Sequence, residues 1–272
     1  DLVRSRGLGD VYKRQVHIIA GSFLSLAGPS FVTAKPCSTP SMRAGGTDST
    51  ARVIALPLHG EEPLIDGRLT EACWRSAAPA TDFLQREPFE GTAATLRTEV
   101  RFCYDDKALY IGAVMHVDDP AEIQSTMSRR DNTGNSARLI ISLDTYRDRR
   151  TAYTFGVTAD GVRFDYYHPS DQEHARDYSF DPVWEARVQR TDSAWVAEMR
   201  IPFSQLRFTE TDVQTWGVNI NRYIPSRNED VYWVLIPKNE TGWSSRFGLL
   251  EGIRGITPGS RIELTPYTAF LS

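Results

Sequence analysis

The chain has 272 residues, of which 40% are hydrophobic, 11% aromatic and 24% charged; that is ample for a packed core and excludes wholesale disorder. Its 31 basic and 35 acidic residues are interspersed and sum to a formal net charge of −4, so no basic stripe faces a phosphate backbone and nucleic acid is not an expected partner. The length exceeds that of a typical single domain but suits one all-β unit.

Residues 1–15 (DLVRSRGLGDVYKRQ) match no periodic template and read as a non-native leader. Behind Lys13 and Arg14, residues 16–34 form an apolar, small-residue run broken by Gly21, Gly28 and Pro29. The run is too short and interrupted to span a bilayer and reads as a truncated secretory signal cleaved after Ala34, with a buried segment of the fold as the alternative. Residues 35–51 have the Ser/Thr/Gly-rich composition of a linker. Cys37, Cys73 and Cys103 have no metal-type spacing. Cys73 could bridge Cys103 in an oxidising compartment, and buried free thiols are the plainer reading.

The folded domain is expected over residues 52–258, with mainly period-two alternation broken by turn residues. Asp66 or Thr70 can cap a short helix through Ala72, Trp74 and Ala77, stopped by Pro79. Thr98–Tyr104 and Ala108–His116 flank the tight turn Asp105-Asp106-Lys107. Arg138–Asp144 is a strand, and Ala152–Thr158 pairs with Val162–His168 across Ala159-Asp160-Gly161. Trp184–Arg190 pairs with Trp195–Ile201 across Thr191 to Ala194; Pro202–Leu206 makes a turn or short helix. Gly217–Tyr223, Val231–Ile236 and Phe247–Leu250 complete the domain. The expected class is an all-β antiparallel sandwich, jelly-roll-like, with one or two short helices. Residues 259–272 change character, and the alternating RIELTPYTAFL reads as the start of a truncated C-terminal β-barrel, an ordinary edge strand being the alternative.

No nucleophile elbow, phosphate loop, paired zinc ligands or dinucleotide fingerprint occurs, and the five histidines are scattered. The acidic loops Asp144–Asp148 and Asp177–Asp181 could give oxygen ligands to calcium, with Asp144 and Asp148 the candidate pair; capping of turns is the structural alternative. Aromatic residues, denser in the second half, suit stacking on sugar C–H faces. Trp243, in the polar loop KNETGWSSR, has no periodic partner and is the candidate for an exposed platform, with Trp184 and Tyr178 as further aromatic candidates and packing in the core as the alternative.

The segments PLIDGRLTEACW, Arg130-Asp131, LDTYRDRRTAYTF, DPVWEARV, WVAEMRIPFSQLRF, WGVNINRYIP with Asn228-Glu229, and FGLLEGI follow one another as an ordered set. Together they resemble the family 9 carbohydrate-binding-like domain found at the front of large outer-membrane β-barrel proteins, with ELTPY falling where that barrel begins. The resemblance implies a β-sandwich, export to the periplasm or outer membrane of a Gram-negative bacterium, and binding of a polysaccharide or oligosaccharide that assists its breakdown or uptake. It also implies structural calcium, while Gly134-Asn135-Ser136-Ala137 replaces the acidic run of barrel-linked relatives and Val157–Asp160 replaces their Asn-Pro turn. Under this reading Arg130 with Asp131, Arg149 with Arg150, and Arg222 with Glu229 form a charged cluster at one end of the sandwich, with Arg130, Arg222 and Glu229 facing ligand. Charge ladders on a solvated sheet are the alternative. Two further readings stand beside carbohydrate binding: a structural or gating domain docked on its own barrel, and a hydrolase, which needs two carboxylates facing one cleft.

Overall fold

The computed structural model describes residues 50–60, 62–126 and 129–259. The expected leader, signal segment, most of the linker with Cys37, and the stretch after 259 lie outside the described residues.

The strands are β1 (Arg52–Pro57), β2 (Leu84–Glu87), β3 (Thr98–Tyr104), β4 (Ala108–His116), β5 (Arg138–Asp144), β6 (Ala152–Thr158), β7 (Arg163–His168), β8 (Glu185–Arg190), β9 (Ala194–Pro202), β10 (Trp216–Ile224), β11 (Glu229–Tyr232) and β12 (Gly248–Glu251). Among the described residues, one short helix, α1 (Ala72–Ser76), and four single 3₁₀ turns complete the elements. The path of paired strands runs β7-β6-β5-β10-β12-β1-β3-β4-β9-β8, with β11 and β2 added beside β10. The hairpins β3/β4, β6/β7 and β8/β9 form across the expected turns.

The pairing is mixed rather than purely antiparallel. The first half of β1 runs parallel to β12 and its second half parallel to β3, so one strand belongs to both halves of the fold. Alternation alone does not reveal β1 or β2, because neither has a sequence-adjacent partner to make a hairpin. The strand expected over Val231–Ile236 instead ends at Tyr232. Beyond it the Asn219 side chain takes the place of a ladder partner: its Oδ1 accepts from Val234 N at 3.0 Å and its Nδ2 donates to Val234 O at 2.9 Å.

Period-two alternation sends Leu139, Ile141 and Leu143 of β5, Phe155 and Val157 of β6, and Val218 and Ile220 of β10 into one core. They meet Val100, Phe102, Ile111, Met115, Trp195 and Met199 from β3, β4 and β9, and Trp184 and Trp216 are buried in the same cluster. A second cluster forms under α1, where Trp74 lies over Gly112; a Cβ there would come within 2.7 Å of Leu69 and 2.9 Å of the Trp74 ring. Cys73 and Cys103 are free thiols of that cluster. Burial raises both, Cys103 to about 12.

The Asp66-Gly67-Arg68 turn before α1 has a physical cause. The buried Glu198 carboxylate accepts from Asp66 N (2.9 Å), Gly67 N (2.8 Å) and Arg68 N (3.2 Å) through Oε2, and from Trp74 Nε1 (3.0 Å) through Oε1. Burial raises the pKa of Glu198, and the amides of Gly67 and Asp66 oppose that shift. The segments PLIDGRLTEACW and WVAEMRIP are therefore two sides of one buried contact.

Candidate functional site

The same alternation that fills the core leaves a second row of side chains on the outer face. On β5 that row holds Arg138, Ile140 and Ser142; on β10, Asn219, Asn221 and Tyr223; on β7, Phe164, Tyr166 and His168. Register sets Arg138 opposite Tyr223 and Ile140 opposite Asn221, while Asn221 and Tyr223 face Tyr232 and Asp230 of β11. A polar and aromatic patch results on a face that a simple sandwich would give to solvent.

The loop after β7 and the loop after β11 rise around this patch and leave a cleft of about 170 Å³. Asp171 ties the two loops together: its carboxylate accepts from Trp243 N (2.6 Å), Ser245 N (3.0 Å) and the hydroxyls of Ser244 (3.2 Å) and Ser245 (2.6 Å). Burial alone would raise its pKa, but these donors, Ser245 foremost, hold it below the ordinary carboxylate range.

Aromatic rings, Tyr166, Tyr178 and Tyr232 among them, line the cleft together with charged groups. The Arg138 guanidinium lies 4.4 Å from the Tyr223 ring centroid, and none of its N–H groups meets an acceptor among the described residues. Arg176 lies 4.7 Å over Tyr166, whose ring is 5.6 Å from Tyr178. Opposite, Asn221 Nδ2 donates to Asp230 Oδ1 at 2.6 Å, and the Tyr232 hydroxyl lies 3.1 Å from Glu173 Oε1 and 3.3 Å from Asp230 Oδ2. Burial raises the pKa of Asp230 and, with the two carboxylates adding to it, lifts Tyr232 well above its ordinary value. Both groups keep their protons more tightly than in water. Trp243 lines the cleft, and behind its ring the indole N–H is buried without an acceptor; His168, 5.8 Å away between ring centroids, has an equally buried and unpartnered Nε2. A buried donor left without an acceptor costs about 1–3 kcal/mol.

The sequence-derived candidates separate into three groups. Tyr178, 61% exposed, stands at the cleft, and Asp131, neighbour of Arg130, lines it. Trp243 also lines it, but not as an exposed platform: it is only 6% exposed, packed against Tyr232, Phe247 and His168. The polar composition of its loop misleads because Asp171 draws the backbone inward. Arg130 turns to Asp165 (2.8 Å), Asp181 (2.8 Å) and the carbonyl of Pro182 (3.1 Å). Trp184 is buried in the core, donating to Asp165 at 3.1 Å.

Arg222 and Glu229 are buried too. Arg222 donates to the carbonyls of Arg97 (3.0 Å) and His116 (2.7 Å) and to the Thr98 hydroxyl (3.0 Å); Glu229 accepts from the amide (2.9 Å) and hydroxyl (2.6 Å) of Thr95. Burial pulls the Arg222 pKa down and Glu229 opposes it. The expected charged cluster at one end is therefore not assembled: Arg222 faces inward by strand parity, and Arg130 pairs elsewhere. Asp144 and Asp148 do not fit a calcium ion. Asp144 accepts from Asp148 N (3.2 Å) and Arg149 N (2.9 Å), and Asp148 from Arg150 N (2.8 Å) and Thr151 N (2.9 Å). Among the described residues no three His, Cys, Asp or Glu side chains gather as metal ligands, while calcium takes about six to eight oxygens. Burial lifts the Asp144 pKa to about 6.

The residues that matter most here, Arg138, Asn221, Asp230 and Tyr232, escape motif reading. The available signal was parity: in GVNINRYI the polar positions Asn219, Asn221 and Tyr223 share one face.

The fold is thus a β-sandwich whose outer face carries a cleft lined by tyrosine rings, arginines and carboxylates. Residues 65–250 match the family model described as carbohydrate family 9 binding domain-like, and the chain belongs to that family. Among solved structures, it is similar to a family 9 carbohydrate-binding module from Caldicellulosiruptor kristjanssonii. Against the complex with cellotriose the identity is 14% and the TM-score 0.52, covering 80% of this chain and 100% of that one. Against the complex with glucose the figures are 16% and 0.54, with 79% and 100% covered. A protein from Bacteroides uniformis aligns at 11% identity and TM-score 0.56, over 75% of this chain and all of its own. None of the curated proteins matches the chain.

Proposed function

We propose that this chain is a carbohydrate-binding module that holds an oligosaccharide end in the outer-face cleft. The observation that carries the reading is the pairing of aromatic rings with an unused donor: Arg138, over Tyr223 and with its N–H groups free, lines one cleft with Tyr166 and the exposed Tyr178. Sugar rings present apolar C–H faces to such tyrosines and hydroxyls to such donors, while Asp230 and Glu173 supply acceptors. The sugars bound by the similar Caldicellulosiruptor module, glucose and cellotriose, make neutral glucans the first ligands to try. The envelope is the setting that suits the reading, with binding in the service of polysaccharide breakdown or uptake. Its support is the sequence resemblance and the signal-like run at 16–34.

Calorimetric titration of the full chain with cello-oligosaccharides tests it. Arg138→Ala is expected to weaken binding by about tenfold, the equivalent of one charge-assisted hydrogen bond. Binding that is indifferent to Arg138, Tyr178 and Trp243 alike would remove the site.

Docking on the chain's own C-terminal barrel is the second reading, favoured by one specific observation. An aromatic cleft of about 640 Å³, walled by Tyr146, Tyr153, Tyr167 and Phe180, opens beside Pro258 and Gly259, where the described chain ends. Under that reading Tyr146→Ala weakens association with the separately expressed barrel and leaves sugar binding untouched.

A further inference from the structure

Past the ridge formed by Trp243 and Phe247, whose rings are 5.4 Å apart, the outer face holds another cleft of about 490 Å³, lined by Ser244, Ser245, Trp233, Arg147 and Arg149 among others. Trp233 is half-buried there, and its ring needs the glycine at 248, where a Cβ would come within 2.6 Å of it. The loop that presents the arginines is built by the Asp144 and Asp148 carboxylates, which accept four backbone amides between them and fix its path.

That path places Arg147 at φ 52° and Arg149 at φ 59°. Both lie in the left-handed region, which disfavours any residue with a Cβ and which glycine enters freely. A turn needed only for structure is best served by glycine or asparagine, and two arginines at such positions in a cleft wall point to a use for their side chains. Neither guanidinium meets a carboxylate or other acceptor among the described residues. Arg246, on the same wall, is paired with Glu240 at 2.8 Å. Among the described residues the single carboxylate lining the cleft is Asp144, buried and engaged by the two loop amides, with its charge disfavoured by that burial.

We propose that Arg147 and Arg149 form an oxyanion subsite that receives the carboxylate of a uronic acid residue, with the Trp233 ring against its sugar face. The inference rests on the carbohydrate reading and deepens it: the substrate class becomes an acidic polysaccharide, with neutral residues in the first cleft and a uronate in the second. Planar guanidinium groups suit a planar carboxylate by paired N–H donors, and the rigid loop holds them without prior ordering.

The test is titration of the full chain with an oligogalacturonate and with a cello-oligosaccharide of equal length, in the wild type, in the Arg147→Gly/Arg149→Gly double variant and in Arg138→Ala. The wild type is expected to bind the acidic oligomer at least about tenfold more tightly than the neutral one. That advantage shrinks as salt rises to about 0.5 M, because exposed charges are screened. The double variant loses the advantage, keeps neutral binding within about twofold, and melts at or above the wild-type temperature, since glycine relaxes both left-handed positions. Equal affinity for the two oligomers in the wild type, or an advantage that survives the double variant, overturns the inference. If neutral binding is present and falls in Arg138→Ala while the acidic oligomer has no advantage, this inference alone falls. If neither oligomer binds, the carbohydrate reading falls with it.

Discussion

Two tryptophans are hidden almost equally, Trp74 at 2% exposure and Trp243 at 6%, and they teach opposite lessons. Trp74 lies on Gly112, and its N–H reaches Glu198 at 3.0 Å, an oxygen partner inside a contact that also fixes the DGR turn. Trp243 lies among Tyr232, Phe247 and His168, its backbone is held by Asp171, and its N–H reaches nothing. Burial is the same and hydrogen-bond completion is not. The finished network around Trp74 is part of the scaffold, while under the carbohydrate reading the unfinished one at Trp243 is part of the cleft wall.

The comparison can be broken most forcefully at Glu198. Glu198→Ala strands three backbone amides and the Trp74 N–H, and should cost about 3–5 kcal/mol in chemical denaturation. Sugar affinity measured well below the lowered melting temperature should stay within about twofold of wild type; a large loss would mean the two halves are not separable.

His168 comes next. Burial holds its pKa down at about 4 against an ordinary 6.5, so the folded protein refuses a proton that the unfolded chain takes up. Its contribution is complete above pH 6.5 and is lost as pH falls through 4, a change of up to about 3 kcal/mol. His168→Gln should flatten the stability profile across that window relative to wild type, and parallel profiles for the two proteins would refute the assignment.

The smaller effects sharpen the contrast. Trp243→Phe keeps most of the packing and removes the unmatched donor, so stability should change by no more than about 1 kcal/mol while sugar affinity falls by about tenfold. The same exchange at Trp74 leaves Glu198 short of a donor and should destabilise without touching affinity. Tyr178→Ala, at an exposed ring, should shift stability by less than about 0.5 kcal/mol and weaken binding measured by the same titration. A melting shift larger than that would place the ring in the scaffold.

The strands were largely legible because alternation and turns such as Ala159-Asp160-Gly161 are local signals, and β3 to β9 form as hairpins or their neighbours. The site was not, because it is made by register between strands distant in sequence. Arg138 gains its meaning only when β5 lies against β10 and sets it beside Tyr223. Loop composition misled for a related reason: KNETGWSSR is polar, yet a single aspartate from another loop, Asp171, turns its tryptophan inward. Charge patterning likewise could not tell Arg222, which strand parity sends into the core, from Arg138, which the opposite parity sends out.

The sharing of β1 between the two halves carries a consequence for how the molecule is made. Its first three residues align with β12 and its last three with β3, so β1 waits for a partner that lies far along the chain. Contacts of such long sequence separation close late and slowly, and the hairpins can form while the chain is still emerging, whereas the sheet can be zipped shut only after Gly248–Glu251 has appeared. Until then β1 has one open edge, and whatever guards that edge during biosynthesis guards the whole domain.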